Sequence, residues 1–263
     1  MSVSASPQPV DAILLAAGKG TRMGGDLPKV LHPVADRPMI QWVVEACRAV
    51  GVDRVIVVVG YKAEDVEASL AGFKNVHFVT QSEQLGTGHA TQMAAPLFAD
   101  DPPRDVFVLA GDGPLIRAKT LEHLLETHRK TDADASLATA VIDDPSGYGR
   151  ITRDAGGGFT GIIEQKDATA AQLAICEVNP SYYCFRSDAL FTTLSDVSND
   201  NNQGEYYLTD VPGILRGAGR AVTVVDAVPA DDVLSINTPE QLAEVDRIMR
   251  ERLVQTHAKG PGI

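Results

Sequence analysis

The sequence predicts an α/β protein, in which a mostly parallel central sheet is covered by helices on both faces and is joined by a smaller, mixed second part. Two observations carry this prediction. In the first half, short continuous apolar runs alternate with longer amphipathic segments, the pattern of buried parallel strands and their crossover helices. The second half has more strand candidates and fewer helices between them.

The first half supplies four strands and four helices in strict alternation. Pro38 in the first turn and Gly51 just past the end bound the first helix. In chain order we predict a strand over Ala12–Ala16, a helix over Pro38–Val50, a strand over Arg54–Val59, a helix over Ala63–Leu70, a strand over Val76–Thr80, a helix over Gly88–Phe98, a strand over Val106–Ala110 and a helix over Thr120–Lys130.

The second half continues with five strands and two helices. Thr238 is the predicted N-cap of the last helix, with Pro239 in its first turn. We predict strands over Ala135–Ile142, Gly149–Thr152, Phe159–Glu164, Tyr182–Phe185 and Ala221–Val228, and helices over Leu208–Arg216 and Thr238–Arg252. We expect a single domain over residues 1–252 and a frayed tail over 253–263.

Composition excludes several classes of partner. The net charge of −12 argues against nucleic acid and against an anionic membrane. Three cysteines without CxxC spacing indicate a reducing compartment rather than a disulfide framework or a zinc site. The N-terminus lacks the basic and apolar regions of a signal peptide, and the apolar runs are too short to span a bilayer. We therefore expect a cytoplasmic protein.

A glycine-rich segment follows the first predicted strand, in the stretch LAAGKGTRM. Gly18 and Gly20 let backbone N–H groups approach an anion, and Arg22 and Lys29 add positive charge, a combination that suits a triphosphate. The spacing fits neither the dinucleotide fingerprint nor the P-loop. An ordinary strand-to-helix turn with solvated basic residues is the alternative interpretation.

Two further segments carry chemistry at the predicted ends of strands. Gln81, in QSEQLGTGHA, could read the edge of a base with its amide, although a plain loop has the same appearance. Asp112 follows a strand in LAGDGPL, at the edge where α/β proteins bind ligands, and an aspartate beside phosphates suits Mg²⁺. Asn237 could supply a second oxygen, or could simply cap the last helix.

Polar residues in the second half could bind a sugar. Glu164 stands at a predicted strand end and can accept hydrogen bonds from hydroxyl groups, and Asn179 can both donate and accept. Taken alone, each is equally well explained as a solvated or turn residue.

Seven motifs in a fixed order resemble one known family. The order LAAGKGTRM, LPKVLH, QLGTGHA, GDGPL, GYGRI, EQKDA and GEYYLTD, over roughly residues 12–252, resembles the uridylyltransferase domain of bacterial UDP-N-acetylglucosamine pyrophosphorylases. That domain is usually the N-terminal half of bifunctional enzymes that also acetylate glucosamine 1-phosphate. The resemblance implies a Rossmann-like nucleotidyltransferase fold, with a nucleotide-binding part over about 10–130 and a sugar-binding part over 131–252.

The resemblance also implies a role for individual residues. It implies that Arg22 and Lys29 make catalytic contacts to the phosphates, and that Asp112 and Asn237 bind Mg²⁺. The nucleotide is assigned to Leu15, Ala16, Ala17, Gly18, Gln81, Gly86 and Thr87. The sugar is assigned to Gly149, Glu164 and Asn179.

The implied reaction joins UTP to N-acetylglucosamine 1-phosphate and releases pyrophosphate. The chain departs from the family at Pro180 and at Ser181, where a glycine is usual, which leaves open a nucleotidyltransferase for another sugar 1-phosphate, such as glucose 1-phosphate, or for another base. A non-catalytic regulator that binds sugar nucleotides is an alternative of a different class. No hexapeptide repeat is present, so we expect neither acetyl transfer nor the trimer that such a β-helix builds. The oligomeric state stays open.

Overall fold

The computed structural model describes residues 8–226 and 228–258, which form twelve strands and eight α-helices. The strands are β1 (Val10–Leu15), β2 (Pro33–Val34), β3 (Arg37–Pro38), β4 (Val55–Val59), β5 (Val76–Thr80), β6 (Asp105–Ala110), β7 (Ala135–Val141), β8 (Gly149–Arg153), β9 (Phe159–Ile163), β10 (Glu177–Asn179), β11 (Tyr182–Arg186) and β12 (Val222–Asp226). The helices are α1 (Met39–Ala49), α2 (Ala63–Leu70), α3 (Thr87–Gln92), α4 (Ala118–Lys130), α5 (Ala170–Leu173), α6 (Ser187–Leu194), α7 (Val211–Gly217) and α8 (Pro239–Ala258).

Ten strands form one sheet in the order β5-β4-β1-β6-β11-β7-β10-β8-β9, with β12 beside β7. The first four are parallel, and the pairings from β6 to β9 are antiparallel. The chain runs from β1 outward to β4 and β5, then returns to the other side of β1 as β6. The carboxyl ends of β1 and β6 therefore flank a topological switch point, where open α/β sheets bind ligands.

Apolar layers cover both faces of the sheet. Alternate residues of β1 face opposite ways: Ala12 and Leu14 pack with α1, α4 and α8, whereas Ile13 packs with α3, α6 and α7. A strand buried on both faces is apolar at nearly every position, which explains the continuous runs in the sequence.

The predicted fold class is confirmed, and the bounds differ at several places. α2 and β5 lie as predicted, to the residue. The single helix predicted over Gly88–Phe98 is wrong: α3 ends at Gln92, and a 3₁₀ turn over Ala95–Phe98 begins afresh with Pro96 near its start.

The ends of two other helices also differ from the predicted ones. A 3₁₀ turn over Leu208–Asp210 precedes α7. α8 continues to Ala258, so the first part of the predicted tail is helical, and 259–263 lie outside the described residues. No helix among the described residues has the length and apolar character needed to cross a membrane.

Candidate active site

The glycine-rich loop leaves the carboxyl end of β1 and turns back onto Lys29. Gly20 has φ +70°, and a Cβ there would lie 2.6 Å from the Cβ of Lys29. Both the left-handed backbone and this close approach require glycine. The loop therefore packs directly on the side chain of Lys29, which sits in a 3₁₀ turn over Lys29–Leu31.

Four predicted residues from three distant segments meet beside this loop. Lys29 forms an ion pair with Asp112, and its ammonium also donates to Asn237 Oδ1 at 2.7 Å. Arg22 donates to the same oxygen at 2.8 Å. The backbone joins the segments as well, since the Ile236 N–H donates to the carbonyl of Asp112 at 3.2 Å. The sheet thus brings two cationic side chains together with a carboxylate and a carboxamide oxygen at the switch point.

This cluster fits a divalent cation. The Lys29 ammonium lies between the Asp112 carboxylate and the Asn237 carboxamide oxygen, so a positive charge already occupies the space between them. No group of three or more acidic, histidine or cysteine ligands occurs among residues 8–226 and 228–258. Two oxygen ligands without a complete protein cage suit Mg²⁺, which keeps water and phosphate oxygens in its shell.

A cavity of about 310 Å³ extends from the cluster across the carboxyl edge of the sheet. Ten of the fourteen predicted site residues line it: Leu15, Ala16, Ala17, Gly18, Lys29, Gln81, Gly86, Thr87, Asp112 and Glu164. Arg22 and Asn237 reach the site through the cluster described above. Gly149 and Asn179 are absent from the lining.

The predicted base-binding loop is held by the GEYYLTD segment. Gly86 has φ +108°, and a Cβ there would lie 2.5 Å from the carbonyl oxygen of Tyr206. That carbonyl accepts from the Gly88 N–H at 2.7 Å, and the hydroxyl of Thr87 accepts from the Leu208 N–H at 3.0 Å. Thr87 therefore links two loops, in addition to lining the cavity.

The predicted sugar-binding part places Glu164 in the cavity and Asn179 behind it. Glu164 Oε1 accepts from the Thr209 hydroxyl at 3.0 Å, and burial raises the pKa of Glu164. The buried Asn179 donates to the Tyr183 hydroxyl at 2.6 Å and accepts from the Ser181 N–H at 3.2 Å. Ser181 and Tyr183 line the cavity instead.

Gly149 packs within the predicted sugar-binding part but does not line the cavity. A Cβ at Gly149 would lie 2.9 Å from Ile162 Cγ2 and 3.7 Å from Glu164 Oε1. Glycine here leaves room for the side chain of Ile162 on the neighbouring strand β9. The roles assigned to Gly149 and Asn179 stay predictions.

Sequence reasoning did not assign several residues of the lining. They are Val30, Gln84, Ala90, Val108, Leu109, Ala110, Ser181, Tyr183, Glu205, Leu208 and Thr209. Most of them lie in sequence motifs described above: LPKVLH contains Val30, QLGTGHA contains Gln84 and Ala90, LAGDGPL contains Leu109 and Ala110, and GEYYLTD contains Glu205, Leu208 and Thr209. Ser181 is the departure from the family described above, and Val108 and Tyr183 carry no such signal.

Comparison with known proteins agrees with this geometry. The family of the MobA-like NTP transferase domain matches residues 12–204. A "Bifunctional protein GlmU" of Geobacillus sp. (strain WCH70) is 46% identical over 246 residues, which are 94% of this chain and 53% of that protein. The one of Brevibacillus brevis is 44% identical over 250 residues, 95% and 54% of the two chains. The chain thus spans about half the length of the curated relatives it matches.

A solved structure shares the fold. It is the crystal structure, with sucrose, of a Bacillus anthracis protein provisionally named glucose-1-phosphate thymidylyltransferase. The TM-score is 0.76 at 18% identity, over 92% of this chain and 95% of that one. The family resemblance inferred from the seven motifs is confirmed by the family match and by the relatives. The chain therefore belongs to the family of MobA-like NTP transferase domains, and it is a nucleotidyltransferase.

Proposed function

We propose that the chain transfers the uridylyl group of UTP to N-acetylglucosamine 1-phosphate, forming UDP-N-acetylglucosamine and pyrophosphate. The observation that carries the proposal is the cluster of Arg22, Lys29, Asp112 and Asn237 beside the glycine-rich loop. The similarity to the bifunctional GlmU proteins, over about half their length, supports the choice of nucleotide and sugar.

The reaction requires positioning and charge neutralisation rather than a general base. An oxygen of the sugar phosphate, already ionised at neutral pH, attacks the α-phosphorus of UTP in line. The bond from that phosphorus to the bridging oxygen breaks, and the electron pair leaves with pyrophosphate. Arg22 and Lys29 would stabilise the charge that develops on the phosphate oxygens.

A divalent cation is the proposed cofactor, and members of this family generally use one. Bound at Asp112 and Asn237, Mg²⁺ would supply a further positive charge to the phosphates. Lys29 would have to leave both oxygens when they hold the cation, and its ammonium would then be available to the substrate.

Polar groups at the other end of the cavity would bind the sugar. Glu164, Thr209 and Tyr183 surround this end, with Ser181 beside them. Ser181 stands where relatives usually have glycine, and this departure favours one alternative, a nucleotidyltransferase for a different sugar 1-phosphate.

The substrates also suggest where the protein works. UTP and sugar phosphates are metabolites of the cytoplasm, and Cys47, Cys176 and Cys184 are all unpaired. Both facts support a cytoplasmic location.

A pyrophosphate-release assay tests the proposal. The protein is incubated with UTP, Mg²⁺ and, in turn, N-acetylglucosamine 1-phosphate, glucosamine 1-phosphate or glucose 1-phosphate. We expect the highest kcat/KM with N-acetylglucosamine 1-phosphate, and a loss of about 10²-fold or more in Asp112→Ala. Preference for glucose 1-phosphate would favour the alternative, and no release with any of the sugar phosphates would reject the proposed reaction of UTP with them. An Asp112→Ala variant as active as the wild type would refute the metal site.

A further inference from the structure

The side chain of Gln81 is held by two partners at the back of the cavity. Gln81 follows β5 and is only 3% exposed. Its amide nitrogen donates to the carbonyl oxygen of Gly86 at 3.1 Å. The same nitrogen lies 3.0 Å from Nδ1 of His89, which stands on α3. Both N–H bonds of the amide are thus engaged.

These contacts determine which way the amide faces. A peptide carbonyl can only accept, so the nitrogen of Gln81, and not its oxygen, must face Gly86. The nitrogen then also faces His89, whose Nδ1 must accept and whose ring proton must sit on Nε2. The tautomer is assigned here from the hydrogen-bond network. Gln81 Oε1 has no hydrogen-bond donor among the described residues, and it is left to the cavity that Gln81 lines.

We propose that His89 is a specificity-determining positioning residue for the base. It holds the amide of Gln81 so that the cavity presents a hydrogen-bond acceptor. Uracil offers an N–H donor at N3, whereas cytosine has a lone pair at that position, so the arrangement selects UTP over CTP. The inference rests on the proposed use of UTP, and it adds a residue that would not itself contact the nucleotide.

His89 and Gly86 together hold the amide of Gln81 in one orientation. If the amide were reversed, its oxygen would face two acceptors, the Gly86 carbonyl and His89 Nδ1. Without the imidazole, one of these repulsions disappears and one N–H of the nearly buried amide loses its partner. An unpaired buried donor is unfavourable, so the preference for the uracil-reading orientation should weaken.

Two substitutions of His89 distinguish the effect of the hydrogen-bond acceptor from that of the imidazole ring. In His89→Asn, the side-chain oxygen can occupy the place of Nδ1 and accept from Gln81. In His89→Leu, the acceptor is lost while much of the volume stays. We measure kcat/KM for UTP and for CTP by pyrophosphate release, with saturating sugar phosphate and Mg²⁺.

For His89→Leu we expect the UTP/CTP ratio of kcat/KM to fall about tenfold, mainly through the KM for UTP, which corresponds to about 1.4 kcal/mol. His89→Asn should keep the wild-type ratio within about threefold, because its side-chain oxygen can still accept from the amide of Gln81. An unchanged ratio in His89→Leu, or equal losses in both variants, would overturn the inference. Absence of wild-type activity with UTP would instead overturn the proposed function.

A measurement on the wild type keeps the inference testable even if His89→Leu does not fold. ¹⁵N NMR of the histidine rings, with UTP bound, distinguishes the tautomers directly. We expect the proton of His89 on Nε2. A proton on Nδ1 would point a donor at the amide nitrogen and would contradict the proposed role of His89.

Discussion

At the scale of single residues, Ser181 combines an unfavourable backbone with a position in the cavity. Its φ of +63° lies in the left-handed region, where a serine side chain is strained. The Asn179 side chain stabilises this turn by accepting the Ser181 N–H. Strained residues that persist tend to cluster at functional sites, and Ser181 faces the end of the cavity that we assign to the sugar.

Replacement of Ser181 by glycine should stabilise the protein and weaken its binding of the sugar phosphate. Relief of the left-handed strain, less the extra chain entropy of glycine, should raise the free energy of unfolding by about 0.5 to 1 kcal/mol. Loss of the hydroxyl should raise the KM for the sugar phosphate several-fold and leave the KM for UTP unchanged. Denaturant unfolding and steady-state kinetics provide the two readouts.

Ser181→Ala serves as the matched control. It keeps the strain and lacks the hydroxyl, so it should share the kinetic defect without the gain in stability. If both variants kept the wild-type KM for the sugar phosphate, the hydroxyl would have no part in sugar binding.

At the scale of elements, the loop before α8 is held in place by the segment between β7 and β8. Tyr148, between β7 and β8, donates to the carbonyl of Val233 at 3.1 Å and accepts from the Ser235 N–H at 3.3 Å. The Ser235 hydroxyl in turn accepts from the amide of Asn237 at 3.2 Å. Burial raises the pKa of Tyr148, so its hydroxyl remains a donor at neutral pH. The GYGRI motif therefore supports the proposed metal ligand Asn237.

Tyr148→Phe should weaken binding of the metal more than it slows turnover. Groups that orient metal ligands typically contribute about 10- to 100-fold to metal affinity, so we expect the Mg²⁺ concentration for half-maximal activity to rise about tenfold. Activity at saturating Mg²⁺ and the KM for UTP should stay near the wild-type values. A Mg²⁺ titration of the pyrophosphate-release rate measures this, and an unaltered titration curve would show that Asn237 needs no support from Tyr148.

At the scale of the whole molecule, the carboxyl and amino ends of the parallel strands carry different groups of side chains. The carboxyl edge carries the site. The amino edge carries a network in which the buried Asp11 pairs with Arg54 at 2.7 Å and with Arg104 at 3.0 Å, joining the starts of β1, β4 and β6.

His128, on α4, is a buried titratable group outside this network. Its Nδ1 lies 2.9 Å from the hydroxyl of Ser136 on β7.

Stability should fall as the pH drops below about 6.5. Burial lowers the pKa of His128, and this outweighs the opposing effect of Asp105. Burial also lowers the pKa of His32. The unfolded chain therefore binds protons that the folded chain does not, and the free energy of unfolding should decrease by at most about 1.4 kcal/mol per pH unit for each histidine.

Denaturant unfolding at pH 7.5 and 5.5 measures this loss, with His128→Gln for comparison. Glutamine can keep a hydrogen bond to Ser136 and does not titrate, so the variant should lose less stability on acidification. Burial raises the pKa of Glu164, which acts in the opposite direction because the folded chain then takes up a proton more readily. An equal loss in the wild type and in His128→Gln would show that His128 is not responsible.

Some elements could be predicted to the residue, and others could not be predicted at all. α2 and β5 carry their own signals, namely an amphipathic period and a strand-length segment of mostly β-branched and aromatic residues. β10 has only three residues, and its pairing with β7 and β8 is decided by partners far along the chain. α3 ends at Gln92, four residues before Pro96, because a proline cannot donate to the carbonyl four residues earlier and its ring clashes with that carbonyl.

For the site, the sequence by itself determined the chemical groups: a glycine-rich loop, two cations, an aspartate and an asparagine, an amide for the base and a carboxylate for the sugar. These were visible because each stands in a local motif at the end of an element. Only the tertiary structure decided their relations. It placed the Lys29 ammonium between Asp112 and Asn237, turned Asn179 toward Tyr183, and engaged the amide of Gln81 with His89. The two contacts of Lys29 join segments that the sheet brings together from distant parts of the chain, and no local pattern encodes such a distance. The contacts of Asn179 and Gln81 join residues four and eight positions apart, and they depend on how the intervening loop folds.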